Sequence, residues 1–126
     1  MSAILLVDDD PLQAHMRKTV LERKFRNVFR AADAAEALCL VEQPQFAGNL
    51  GLVISGHHMP GIGGPAFVEE LHTRMPSLPV LVLGDKSETS GDYRGEHIQF
   101  LARPFVTEEM LAAAGRMLSG NGMKTA

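Results

Sequence analysis

Five short apolar runs alternate along this chain with segments of helical period. Ala3 to Val7 is a continuous run of β-favouring residues, the pattern of a strand buried on both faces. Asp10-Pro11 then opens a helix, with Asp10 as N-cap and Pro11 at the first helical position. Leu12, Met16 and Val20, with Leu21 at the margin, are expected along its buried stripe, and Arg17, Lys18 and Glu22 elsewhere. Asn27 to Ala32 reads as a second strand. Asp33 with Glu36 three positions on resembles a capping box, and Ala37, Leu38 and Val41 give the next helix its inner side.

Gly48 and Asn49 break the chain before a third strand, Leu50 to Ser55. A helix opens at Gly64-Pro65 and carries Phe67, Val68, Leu71 and Met75. Pro79 to Leu83 and Ile98 to Ala102 are the fourth and fifth strands. Thr107 to Leu118 is the last helix, with Glu108 and Glu109 in the first turn, where the helix dipole favours acids. Strands alternating with helices predict an α/β fold, a parallel sheet covered on both faces. The stretch Gly84 to His97 fits least well: Tyr93 is its only large apolar residue, so a helix there is expected to be short, irregular or absent. Residues 119–126 are expected to be a mobile tail behind a domain of residues 1–118.

Composition narrows the function classes. The 126 residues suit one domain, with 45% hydrophobic and 21% charged residues and no low-complexity tract. A net charge of −3 supplies no basic footprint, so direct nucleic-acid binding is not expected. No apolar run approaches the roughly 18 residues of a membrane span, and Ala3 to Val7 lacks the basic flank of a signal peptide, so a cytoplasmic location is expected. The single cysteine, Cys39, lies in an apolar helical stretch and is expected to be a buried small hydrophobe. His15 and His72 are expected on exposed helix sides.

Several motifs together resemble the response-regulator receiver domain. They are Val7-Asp8-Asp9-Asp10-Pro11 at the end of strand one, Met59-Pro60-Gly61 with Gly64 after strand three, Leu78-Pro79-Val80, and Arg103-Pro104-Phe105 after strand five. The resemblance covers residues 3 to about 118. It implies a flavodoxin-like doubly wound five-stranded sheet of order 2-1-3-4-5, here with a degenerate fourth helix. It also implies a crevice beyond the carboxyl ends of strands one and three, and a cis bond before Pro104.

In that family two acids at the end of strand one and an acceptor aspartate at the end of strand three hold Mg²⁺. A Thr or Ser after strand four and a Lys after strand five meet the phosphoryl group. Carried over, Asp8 and Asp9 match the acid pair and Gly56 stands at the acceptor position. Gly84 replaces the hydroxyl residue and is followed by Asp85, and Arg103 replaces the Lys with a planar fork in place of a compact ammonium. Phe100 occupies the position of an aromatic rotamer switch. Arg103 is expected to pair with Asp8 or Asp9.

The resulting expectation is a receiver-like domain of two-component signalling, not an enzyme and not phosphorylatable, that works by protein contact. It requires no cofactor and holds Mg²⁺ at most weakly. A histidine kinase, another response regulator or a second copy of the chain are the partners expected, with no membrane partner. Two alternatives stay open: a displaced phosphoacceptor, Ser55 or His58, and a metal site of Asp8, Asp9 and His58. Ser55 is expected to face away from the crevice, because side chains alternate on a strand. A flavin-binding fold is disfavoured by the three aspartates after strand one and the lack of a glycine-rich phosphate loop.

Overall fold

A computed structural model describes residues 2–85, 93 and 97–123. The chain runs β1 (Ala3–Val7), α1 (Pro11–Leu21), β2 (Val28–Ala31), α2 (Ala34–Val41), α3 (Pro44–Asn49), β3 (Leu50–Gly56), α4 (Gly64–Arg74), β4 (Val80–Asp85), β5 (Ile98–Arg103) and α5 (Thr107–Met123). The strands form one parallel sheet of order β2-β1-β3-β4-β5. Central β1 pairs Ile4 with Val28 on one side and with Leu52 on the other.

The alternation of side chains divides the core into two layers. Leu5, Val7, Val53, Val80 and Val82 face α2 and α4, where Leu38, Phe67 and Leu71 close over them. Ile4, Leu6, Leu52, Ile54, Leu81 and Leu83 face α1 and α5, against Ala14, Leu21, Met110, Ala113 and Ala114. Ile4, Leu5, Leu6 and Val7 are all fully buried, which explains why β1 reads as an unbroken apolar run. At about 1.5–3 kcal/mol for each large apolar side chain, this sandwich supplies the main driving force for the fold.

The helix starts follow their predicted chemistry. Asp10 accepts hydrogen bonds from the Leu12 and Gln13 N–H groups, at 3.0 and 3.2 Å, ahead of Pro11. Asp33 accepts from Glu36 N–H at 2.8 Å, and the Glu36 carboxylate reaches back to Ala32 N–H at 2.6 Å, one residue before the cap. Arg103-Pro104 is cis, and Gly61 has φ of +80°, a conformation that favours glycine in the Met-Pro-Gly turn.

Several elements differ from the sequence reading. Leu12 and Met16 are 69% and 60% exposed; α1 buries Ala14 in their place, together with Leu21, which was expected at the margin of the stripe. At 3.6 residues per turn, Leu12 lies about 200° around the helix from Ala14. The large side chains of β1 and β3 already fill the layer, and a small residue lets the helix approach. A short helix, absent from the sequence reading, starts at Pro44 and ends at Gly48-Asn49, where the break was expected. Helix α5 continues past Leu118 to Met123, since no proline stops it. Cys39 is exposed on the outer side of α2, opposite Ala37, Leu38 and Val41. His15 is exposed, but His72 is half-buried and its Nε2 is hydrogen-bonded to the Leu78 carbonyl at 2.8 Å. Most of the stretch in which a short, irregular or absent helix was expected, residues 86–92 and 94–96, lies outside the described residues.

Candidate functional site: a cleft at the sheet end with Asp8 paired to Arg17

The carboxyl ends of β1 and β3 bring Asp8, Asp9, Gly56 and His58 to one cleft of about 280 Å³, completed by Gln13, Arg17, His57 and Arg103. This is the crevice expected where the sheet's order reverses. Asp8 is buried at the last turn out of β1, and four contacts hold it there. Its Oδ1 accepts from Asp10 N–H at 3.0 Å, and its Oδ2 accepts from Arg17 Nη1 at 3.1 Å. Its backbone carbonyl accepts from Arg30 Nε and Nη2 at 3.2 and 2.9 Å.

The counter-charge therefore comes from Arg17, and the expected pairing of Arg103 with Asp8 or Asp9 is not formed among the described residues. Arg103 Nε instead lies 2.9 Å from Asp85 Oδ1. That approach lacks hydrogen-bond geometry, since the Nε–H has no hydrogen-bond partner among the described residues, so it is a charge contact between two partly exposed groups. The reason is register. Asp85 pairs directly with Arg103 across β4 and β5, whereas Arg17 sits two turns into α1 above Asp8.

Burial sets the electrostatics of the Asp8–Arg17 pair. It pushes the Asp8 carboxyl above its ordinary value, and the neighbouring Asp9 and Asp10 charges add to that; Asp10 N–H and Arg17 oppose it. Burial also lowers the Arg17 guanidinium, with Arg103 acting in the same direction and Asp8 against it. Both ions lose more to desolvation than their partner returns, as is usual for a pair taken out of water. The pair fixes geometry more than it stabilises the fold.

At the end of β3, Gly56 leaves open space. A Cβ placed there would meet only the His58 carbonyl oxygen, at 3.9 Å, so the backbone could carry a side chain that the sequence does not supply. Ser55 is 1% exposed and turned away from the cleft, as expected, with its hydroxyl donating to the Gly56 carbonyl and facing Met59 Sδ. Gly84 is buried within β4 beside Ala102, and Asp85 is exposed. His58 is exposed at the rim, where it does face the cleft, and His57 lines it as well. Asp8, Asp9 and His58 share this cleft, but no group of three His, Cys, Asp or Glu side chains among the described residues is arranged to hold a metal ion. Phe100 is half-buried and packs against the core on the side of α2 and α4.

The sequence reading missed two participants. Arg17 was legible in principle: Asp10, Gln13 and Arg17 recur at helical spacing and form one stripe pointing back to the strand end. Arg30 has no such local signal, because it arrives from the next strand.

The profile of the response regulator receiver domain matches residues 4–114, and the chain belongs to that family. Over 118 residues it is 30% identical to the C4-dicarboxylate transport transcriptional regulatory protein DctD of Pseudomonas aeruginosa, covering 91% of this chain and 25% of that protein. It is 23% identical to Protein PilH of the same organism, covering 95% of this chain and all of that one. A receiver domain from Clostridium thermocellum shares the fold, with a TM-score of 0.86 at 19% identity and 98% of each chain covered. The chain spans about a quarter of the length of DctD and about half that of the probable transcriptional regulatory protein TcrX of Mycobacterium tuberculosis, to which it is 25% identical over 97% of its own length. Receiver domains are signalling modules of two-component systems that work with histidine kinases and other regulators. No described helix is long and apolar enough to cross a membrane.

Proposed function

We propose that this receiver domain takes part in two-component signalling as a protein-interaction module and does not accept a phosphoryl group. One observation carries the reading: the acceptor position is Gly56, and the remaining inner carboxylate, Asp8, is already engaged by the Arg17 guanidinium at 3.1 Å. A phosphoryl acceptor must be a nucleophile, and glycine has none. A divalent cation needs several oxygen ligands, and here the inner one has a resident cation and the third is missing. Arg103, the remaining group with charge to meet a phosphoryl oxygen, is engaged by Asp85. Mg²⁺ therefore binds weakly at most, and no cofactor is required.

The test is phosphotransfer. The full chain is incubated with Mg²⁺ and acetyl phosphate, or with a phosphorylated histidine kinase, and its intact mass is followed. No adduct is expected. A phosphoryl adduct mapped to His58 would replace this reading with the displaced-acceptor one, and one mapped to an aspartate would refute both. Partner binding, by contrast, is expected to proceed without any phosphoryl donor.

A further inference from the structure

From the cleft wall a line of four rings runs outward to β5. His58 meets His57 edge to face, with centroids 4.8 Å apart and planes at 73°. His57 meets Tyr93 at 5.5 Å and 70°, and Tyr93 meets Phe100 at 5.9 Å and 38°. The first two are edge-to-face contacts and the third is tilted, all within the separations at which rings pack together. The Tyr93 hydroxyl is also hydrogen-bonded to Nδ1 of His57.

Gly64 makes that bond sterically feasible. A Cβ at position 64 would overlap the Tyr93 hydroxyl and stand 2.9 Å from the His57 carbonyl oxygen. That same carbonyl accepts the Gly64 N–H at 2.9 Å, closing the loop between β3 and α4. His57 is thus fixed twice: its backbone by the start of α4, and its ring by a phenol from the β4–β5 connection. One end of the line opens on the cleft at His58. The other lies on β5, where Phe100 pairs with Val82 and packs against the core.

We propose that Tyr93 is a coupling residue, clamped to His57 across Gly64 and seated on Phe100, so that the loop following Gly56 and the outer strand β5 move as one unit. A ligand or partner that displaces His58 or His57 then shifts Phe100, and one that engages β5 shifts the cleft loop by the same free energy, because such coupling is reciprocal. Contact alone does not establish a route, so the experiment must measure coupling.

The chain contains one tyrosine and no tryptophan, so its tyrosine emission reports on position 93 alone. In the full chain, His57→Ala is expected to change that emission, and Tyr93→Phe to shift the imidazole nitrogen resonances of His57 while the circular dichroism stays native. Phe100→Leu is expected to shift the same resonances, and that effect is expected to fall by more than half in a Tyr93→Leu background. Gly64→Ala is expected to lower stability more in the parent than in Tyr93→Phe, where the hydroxyl it collides with is gone. Should Gly64→Ala fail to fold, the cycle between Phe100 and Tyr93 still decides. The proposal is overturned if Phe100→Leu shifts His57 equally with and without the phenol, or if His57→Ala leaves tyrosine emission unchanged. No readout involves a phosphoryl donor, so a failure here is distinct from a failure of the functional reading.

Discussion

Arg17→Met tests whether a single guanidinium is the counter-ion that keeps Asp8 ionised inside the cleft. Methionine retains much of the apolar stem and its packing near Phe105, whose ring centroid lies 6.0 Å from the guanidinium carbon, and removes only the charge and its donors. Asp8 is then left with a side chain 5% exposed and one N–H donor, that of Asp10. Breaking one half of a fully buried ion pair costs about 3–5 kcal/mol; here the cleft admits water on one side, and about 2–3 kcal/mol is expected. Because both members of the pair are shifted against their charged forms, Asp8→Asn with Arg17→Met is expected to lie within about 1 kcal/mol of the parent.

The cost also depends on pH. Asp8 has a folded pKa above its unfolded value of 3.8, so in that window the folded state binds more protons and loses stability as pH rises. Arg17→Met removes an influence that lowers the folded pKa, and the window widens upward. The destabilisation is therefore greatest at pH 7 and shrinks as pH falls towards 4. Urea denaturation of the two single variants and the double variant at several pH values measures all of this. A cost for Arg17→Met below about 0.5 kcal/mol, or a double variant at the sum of the singles, would refute the assignment.

Four further outcomes follow from the same contacts. Gly56→Asp is expected to fold, given the open space at its Cβ, yet to be phosphorylated by acetyl phosphate far more slowly than an intact receiver, since no hydroxyl stands at Gly84 and Asp85 engages Arg103; brisk labelling by intact mass would contradict this. Asp85→Asn is expected to change stability by less than about 0.5 kcal/mol in thermal melts, because its ion contact is solvent-screened. Leu12→Gln and Met16→Gln are expected to be nearly neutral, whereas Ala14→Leu overpacks the face of α1 on the sheet and costs about 1–3 kcal/mol by denaturant titration. Cys39 is expected to react with a thiol reagent in the native state at a rate close to that in urea; a strongly protected thiol would count against its exposed placement.

The inner strands were legible in the sequence because they are buried on both faces and must be apolar throughout; Ala3 to Val7 and Leu50 to Ser55 admit little else. The caps at Asp10 and Asp33 were legible because their hydrogen bonds are local. What failed depended on neighbours distant in sequence. Leu12 and Met16 form a plausible apolar stripe, and only the bulk of Ile4, Leu6, Leu52 and Ile54 opposite explains why α1 turns Ala14 inward. Likewise Arg103 was a reasonable partner for Asp8 on charge alone. The choice between it and Arg17 depends on register across β4 and β5 and on the height of Arg17 along α1, neither of which composition encodes. The strand-end residues of the cleft were found, but Arg17 and the wiring around Asp8 were not.

The resident guanidinium beside Asp8 has a consequence for how information could pass through the domain. With the Arg17 guanidinium as its resident cation, as the proposed function has it, the charge beside Asp8 would not vary with metal supply or with the flux of phosphoryl donors. Under the proposed function, the variable left to the cell is the number of copies. Output would then follow mass action, rising with the ratio of free concentration to partner dissociation constant. Synthesis and degradation would set its timing, and the signal would be a dose.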